Sequence, residues 1–267
     1  MKVPFVKAHG AGNDFLLTWE RDAPGGDPAA FARSICSRRT GVGADGWYLV
    51  DPEAAPADAS LRLFNSDGSA AELSGNGTRC AAAMLVEAGL AGPELQIRTG
   101  AGPRRLRLIE REGLRFLFEM DLGSPSYDPD EIRTHLRLAR GPVEVAIVDV
   151  GNPQCAVFVQ EFPPDWRSLA AEIERHPRFP HRTNVSVVRR LDVRTLEARF
   201  YERGVGETLS SGTGAAGAAV AAVLRGLAQS PVRVQTAAGP LEVCWTPGGS
   251  IRQVGPAEIV ARGEYYF

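Results

Sequence analysis

Two clusters of serine and glycine, each leading into a run of small residues, are the positions where this sequence could support catalysis. The first reads "SGNG" from Ser74 and the second reads "SGTG" from Ser211. Serine is a leading N-cap residue, and the first amides of a helix have no partner within it. Those amides lie at the positive end of the helix dipole and bind anions, and glycine lets a ligand approach the backbone. Each cluster therefore predicts a serine-capped helix start that can hold a carboxylate.

Helix capping alone explains one such cluster, and it is the simpler interpretation of either serine taken singly. Two clusters of the same pattern favour a second interpretation, in which both helix starts hold one carboxylate. Ser74 and Ser211 would then face opposite sides of the adjacent carbon atom. One group could remove a proton while the other returns one, which is racemisation. The amides would stabilise the negative charge that develops.

The two clusters belong to an internal repeat. A shift of 137 residues aligns 64–83 with 201–220 and 99–103 with 236–240, and a slightly larger shift aligns "GND" at 12–14 with "GNP" at 151–153. Several matches at one shift indicate a duplicated fold, and their period is too long for a solenoid.

Both halves show the same pattern, in which several strands accompany one helix of small residues. Alternating apolar residues predict the strands, and Ala/Gly-rich helices are predicted at about 77–89 and 214–227. Further helices are predicted at about 28–38 and 165–175. The fold class is therefore predicted as α+β, with two pseudo-symmetric halves. In each half a curved, mostly antiparallel sheet is expected to wrap around the central helix.

The Gly- and Pro-rich segment 121–130 is the predicted hinge. The N-terminal half is predicted to span 1–120, with a C-terminal strand at about 256–267 returning to it. The C-terminal half is predicted to span 121–255, and the active site is expected in the cleft between the halves.

The composition is that of an ordinary globular protein. Of 267 residues, 44% are hydrophobic and 23% are charged, and the net charge of −2 argues against nucleic acid or an anionic membrane as a partner. The four cysteines are far apart, which argues against a zinc site or a disulfide framework. No segment resembles a signal peptide or a membrane span, so a cytoplasmic protein is expected.

Six motifs occur in order along nearly the whole chain: "HGAGNDF" at 9–15, "GVGADG" at 41–46, "FNSDGSAAELSGNGTRC" at 64–80, "GNPQC" at 151–155, "RTNV" at 182–185 and "YERGVGET" at 201–208. As a set they resemble the diaminopimelate epimerase family. The resemblance implies a fold of two pseudo-symmetric domains, no cofactor, no metal and a homodimer. It also implies a small-molecule substrate, through interconversion of LL- and meso-diaminopimelate on the route to lysine.

The resemblance also assigns site residues by position. The substrate-binding positions are Asn13, Asn65, Gly75, Asn76, Asn152, Asn184, Glu202, Arg203, Gly212 and Thr213. The two catalytic positions are cysteines in the family and are Ser74 and Ser211 here. Gln154 stands where the family usually has a histidine close to the first catalytic thiol, and it is assigned a supporting role.

The exchange of thiol for hydroxyl leaves three functions open. A thiol has a pKa of about 8.5, which is readily lowered near a helix N-terminus, so its thiolate is accessible near neutrality, whereas an alkoxide is far less accessible. The first function is an epimerase of the family type. The second is an inactive or impaired homologue that binds the amino acid, whether a natural form or a Cys-to-Ser variant. The third is a lyase or epimerase that acts on a different amino acid.

Overall fold

The computed structural model describes residues 2–267, which form a mostly β-sheet protein with few helices. The strands up to residue 123 are β1 (Lys2–Gly10), β2 (Asn13–Trp19), β3 (Gly46–Asp51), β4 (Ala59–Asn65), β5 (Ala70–Ala71), β6 (Glu94–Thr99), β7 (Gly102–Glu112) and β8 (Arg115–Gly123). The remaining strands are β9 (Thr134–Leu138), β10 (Gly141–Asp149), β11 (Pro153–Val159), β12 (Asn184–Arg190), β13 (Thr195–Glu202), β14 (Gly206–Thr208), β15 (Val232–Thr236), β16 (Gly239–Cys244) and β17 (Ile251–Tyr266). The α-helices are α1 (Pro28–Ile35), α2 (Gly75–Glu87), α3 (Trp166–Glu174) and α4 (Gly212–Leu224).

The chain divides into two compact units. The first unit comprises Met1–Met120 and Gly255–Phe267, and the second comprises Asp121–Val254. Strand β17 therefore begins in the second unit and ends in the first. Within residues 2–267 no helix is long and apolar enough to cross a membrane.

The sheet of the first unit closes on itself. Eight strands pair in a ring in the order β1, β2, β3, β4, β6, β7, β8 and β17, and β17 returns to β1. The chain is mainly sheet with few helices, and the sequence did not predict that the sheet of the first unit closes into a ring. The ring closes because β17 pairs with both β1 and β8 and so leaves neither of them with an unpaired edge.

The second unit repeats the pairing order of the first. Its strands pair in the order β10, β11, β12, β13, β15 and β16, and the first residues of β17 follow. The pairs β11–β12 and β13–β15 are parallel, as are their counterparts β2–β3 and β4–β6. The short strand β5 pairs antiparallel with β4, and β14 pairs antiparallel with β13. The repeat in the sequence thus corresponds to a repeated strand topology.

The two central helices are buried along most of their length. Eleven of thirteen residues are buried in α2 and in α4. Helix α2 packs against β1, β2, β3 and β6, and α4 packs against β10, β11, β12, β13, β15 and β16. Their small residues are required by this close packing. A Cβ atom at Gly77 would lie 2.4 Å from Cε2 of Tyr48, and one at Gly214 would lie 2.7 Å from Cδ1 of Phe200.

The helix ends explain where the two central helices stop. Gly89 and Gly226 follow the C-caps with φ angles of 71° and 68°, a left-handed conformation that favours glycine and ends a helix. Both helices start two residues earlier than predicted, because each serine is the N-cap itself. Helices α1 and α3 lie within their predicted ranges, and α1 begins with Asp27 accepting the Ala29 amide at 2.9 Å.

Candidate active site

Ser74 caps the start of α2. Its backbone is extended, with φ −128° and ψ 121°, and its Oγ accepts a hydrogen bond from the Gly77 amide at 3.2 Å. The Ser74 carbonyl accepts from the amide and the hydroxyl of Thr78, both at 2.8 Å. The Tyr48 hydroxyl also donates to this carbonyl, at 3.5 Å, and burial raises the pKa of Tyr48, which keeps the hydroxyl protonated. The geometry holds the Ser74 side chain at the helix start.

Ser211 caps α4 in the same way. Its φ and ψ angles are −135° and 120°, and its Oγ accepts from the Gly214 amide at 3.1 Å. Two further donors hold the carbonyls of this turn: Gln253 Nε2 donates to Gly212 at 2.7 Å and Ser186 Oγ donates to Gly214 at 3.3 Å. Because the two serines agree in backbone angles and in hydrogen bonding, the two helix starts are structurally equivalent.

A chain of hydrogen bonds fixes the side chains beside the start of α2. Asn76 Nδ2 donates to Asn13 Oδ1 at 3.4 Å, and Asn13 Nδ2 donates to Asp45 Oδ2 at 2.7 Å. Arg38 donates to the other oxygen of Asp45 at 2.7 Å, and the buried Arg79 donates to Asn76 Oδ1. Burial lowers the pKa of Arg79 to about 10, so its guanidinium is still charged at neutral pH. Both asparagines are therefore held in one amide orientation.

The start of α4 has a matching pair. Asn152 Nδ2 donates to Thr213 Oγ1 at 3.3 Å, and Gln154 Nε2 donates to Asn152 Oδ1 at 2.6 Å. Gln154 is 1% exposed and its Oε1 is buried without a hydrogen-bond partner among the described residues. A Cβ atom at Gly217 would lie 2.8 Å from Gln154 Cβ, so this glycine makes room for the glutamine. Gln154 thus orients Asn152 through a neutral hydrogen bond.

The remaining predicted substrate-binding residues are Asn184, Glu202, Arg203 and Asn65, and Asn65 makes its hydrogen bond apart from the other three. Asn184 Oδ1 accepts from the Arg203 amide at 3.0 Å, and Asn184 Nδ2 donates to the Pro153 carbonyl at 3.1 Å, next to Asn152. Glu202 Oε1 accepts from Thr208 Oγ1 at 3.4 Å. Asn65, by contrast, donates to Ser69 at 3.0 Å in the turn that follows β4.

Two charged residues beside these groups were not recognised from the sequence. Asp45 received no role although it lies in the motif "GVGADG", and its position next to β3 is what brings it to Asn13. Glu174 is 1% exposed at the end of α3. It follows Ala170 by four residues and so continues the apolar face of that helix, which is the signal that could have identified a buried acid.

The arrangement offers two similar binding positions for a carboxylate. Helix geometry gives the amides of Gly75 and Asn76 no partner inside α2, and the same holds for Gly212 and Thr213 in α4. In each case a serine hydroxyl lies at the N-cap beside them. Residues 2–267 contain no group of three or more His, Cys, Asp or Glu side chains that could hold a metal ion.

Comparison with solved structures defines the class of fold. A hydroxyproline epimerase from Agrobacterium vitis matches with a TM-score of 0.71 at 17% identity, over 98% of this chain and 92% of that chain. A phenazine biosynthesis protein from Bacillus anthracis matches with a TM-score of 0.70 at 15% identity, over the full length of both chains. The protein therefore shares its fold with these two proteins.

Sequence comparison gives the family within that class. The family model for diaminopimelate epimerase matches residues 5–127 and 146–260. The diaminopimelate epimerase of Moorella thermoacetica is 41% identical over 276 aligned positions, which cover 98% of each chain. That of Pelotomaculum thermopropionicum is 39% identical over 275 positions, again with 98% of each chain covered. The chain belongs to the diaminopimelate epimerase family.

Proposed function

We propose that this chain interconverts LL- and meso-diaminopimelate by a two-base reaction without a cofactor, with Ser74 and Ser211 at the two catalytic positions. The observation that carries the proposal is the pair of equivalent serine-capped helix starts in a member of this family. Relatives that carry the epimerase name cover nearly the whole chain at about 40% identity, which supports the same substrate.

The proposal assigns the reacting carboxylate to the helix-start amides of Gly75, Asn76, Gly212 and Thr213. Removal of the α-proton spreads negative charge onto this carboxylate, and amides that are already oriented stabilise it without reorganisation. The remaining substrate contacts are assigned to Asn13, Asn65, Asn152, Asn184, Glu202 and Arg203. The planar guanidinium of Arg203 suits a second carboxylate, because it can bind both oxygens.

The reaction requires one proton acceptor and one proton donor on opposite faces of the α-carbon. The proposal assigns one of these groups to each serine: one Oγ takes the α-proton and the other delivers a proton to the opposite face. The amide hydrogen bonds to both Oγ atoms and the nearby helix dipoles favour an oxyanion. The proposed turnover is nevertheless slow, because a hydroxyl ionises far less readily than a thiol.

Three further features belong to the proposal. Each sheet is proposed to curve around its central helix, which the burial of α2 and α4 supports. A homodimer is proposed from the family resemblance, and a cytoplasmic location from the four separated cysteines, which fit a reducing compartment. Light scattering during size-exclusion chromatography tests the dimer, which would be contradicted by a mass near the 28.6 kDa of one chain.

Exchange of the α-proton tests the proposed reaction. The protein is incubated with LL- or meso-diaminopimelate in deuterated water, and deuterium uptake at the α-carbon is followed by NMR. We expect slow uptake that is lost in Ser74→Ala and in Ser211→Ala. Absence of uptake at high protein concentration, with binding demonstrated separately, would refute catalysis while leaving the binding site in place.

A second candidate function is an amino-acid-binding protein without turnover. Serine at both catalytic positions favours it, because neither position retains the family's thiol. Calorimetry with diaminopimelate and other amino acids separates the two candidates when it is combined with the exchange experiment. Tight binding without exchange supports the binding protein, and exchange at any measurable rate supports the enzyme.

A further inference from the structure

Glu174, the last residue of α3, is a buried acid outside the groups that the proposed reaction uses. Only 1% of the residue is exposed. Burial of a carboxylate is costly unless charged partners and hydrogen bonds compensate for the lost water. The partners of Glu174 therefore show which parts of the second unit it holds.

Those partners lie on two loops. Glu174 Oε1 accepts from the Gly204 amide at 3.2 Å and from Arg182 Nη1 at 3.3 Å. Its other oxygen accepts from Arg175 Nε at 3.2 Å, and its carbonyl accepts from the Thr183 amide at 3.4 Å. One residue thus bonds both to the segment before Asn184 and to the segment after Arg203.

Both loops carry a residue assigned to the substrate. Asn184 begins β12 immediately after Thr183, and Arg203 immediately precedes Gly204. The loops also meet directly, since the Arg203 amide donates to Asn184 Oδ1 at 3.0 Å. Arg182 has a φ of 61°, an uncommon conformation for a residue with a side chain, and it needs surrounding contacts to hold it. Its ion pair with Glu174 is such a contact.

We propose that Glu174 is a positioning residue that fixes Asn184 and Arg203 for recognition of a second carboxylate on the amino-acid substrate. This inference rests on the proposed function, because it concerns the same site. Arg203 is additionally held by its Nη1, which donates to the His181 carbonyl at 3.4 Å. Recognition by a guanidinium depends on its orientation, so loosening of the Gly204 segment weakens binding of a two-carboxylate ligand selectively.

The test compares Glu174→Gln with Glu172→Gln. Glu172 is a matched control on the same helix: it accepts a backbone amide, that of Ala139, at 2.6 Å, and it bonds to neither substrate loop. Calorimetry measures the affinity of each variant for diaminopimelate and for lysine, which lacks the second carboxylate. We expect Glu174→Gln to weaken diaminopimelate binding about tenfold, with little change in lysine binding. We expect Glu172→Gln to keep the wild-type ratio of the affinity for diaminopimelate to the affinity for lysine.

Amide hydrogen exchange without ligand gives a second readout that does not depend on the substrate. The peptide that contains Gly204 should exchange faster in Glu174→Gln, and also in Glu174→Asp, which keeps the charge but shortens the side chain. Unchanged exchange at Gly204, or an unchanged ratio of the two affinities, would overturn the positioning role. If the wild-type chain binds neither compound, the proposed function fails and the specificity role fails with it, whatever the exchange result.

Discussion

At the residue scale, the expected rate of α-proton exchange depends on whether positions 74 and 211 carry a hydroxyl or a thiol. The two serines have equivalent backbone angles and amide hydrogen bonds at their helix starts. A cysteine side chain differs from serine only in having sulfur in place of the γ oxygen. Replacement by cysteine therefore changes the proton affinity of the group while it preserves the fold around it.

The double variant Ser74→Cys with Ser211→Cys should raise α-proton exchange by roughly 10²-fold or more, since positioned acid–base groups contribute about 10²–10⁴-fold. The rate should increase with pH as the thiol that accepts the proton ionises, at a pH below its usual pKa of about 8.5, because the helix start favours the anion. Deuterium uptake measured between pH 6 and pH 9 checks both expectations. Ser210→Cys is the control, because Ser210 is the buried neighbour of Ser211 and is not an N-cap. An equal gain in this control would contradict the assignment.

The natural cysteines should not interfere with that experiment. Cys36, Cys80 and Cys155 are buried, and burial raises the pKa of Cys36 and of Cys80 to about 12 and that of Cys155 further. A raised pKa keeps these thiols protonated at pH 8, so they do not react with iodoacetamide. Cys244 is partly exposed and should be labelled. Mass spectrometry of the native chain should show one label, and four after unfolding; a second label on the native chain would refute this expectation.

At the element scale, the helix starts depend on glycines that allow close packing. Gly77 lies against the ring of Tyr48, which is only 2% exposed. This contact places the first turn of α2, and therefore Ser74, against β3. The same reasoning applies to Gly214 and Phe200 at the start of α4.

Gly77→Ala should accordingly lower the free energy of unfolding by about 1–3 kcal/mol, as overpacked core sites do. It should also weaken ligand binding, because the helix start shifts. Gly92→Ala is the control, since a Cβ atom there would meet nothing within 4 Å. Urea unfolding of the two variants gives the comparison. Equal stabilities would mean that the Tyr48 contact does not constrain α2.

The elements that could be predicted from the sequence are those with local signals. Serine caps and terminating glycines placed α2 and α4 to within two or three residues. Strands β2 and β3 gave no alternating pattern because they are buried on both faces of a parallel pair. Asp45 could not be assigned, because an acid in a loop is usually solvated, and the place of Glu174 on the apolar face of α3 indicates burial but not its partners. Only the tertiary structure shows which backbone amides and arginines surround them.

At the scale of the whole molecule, the last strand completes the first unit. Val6 of β1 pairs with Arg262, and β17 also pairs with β8, so removal of residues 255–267 would expose two strand edges. Unpaired edges promote association between chains. A chain that ends at residue 254 should therefore be aggregated in sedimentation experiments.

A circular permutant provides the control for that truncation. Tyr266 pairs with Lys2, so a short loop that joins residue 267 to residue 1 would make a hairpin of β17 and β1. The permutant would begin at Gly255 and keep every strand of the first unit. It should stay soluble and bind diaminopimelate. A soluble, monodisperse truncated chain would show that closure by β17 is dispensable.

The closed ring also determines the order in which the two units can fold during synthesis on the ribosome. The first 120 residues emerge early, but the strand that fills the gap between β1 and β8 is made only after the entire second unit. The contiguous segment Asp121–Val254 can fold as soon as it leaves the exit tunnel, whereas the earlier segment must wait with two open edges. Chaperones that shield nascent chains should therefore engage the first-made half of this protein for longer than the second-made half.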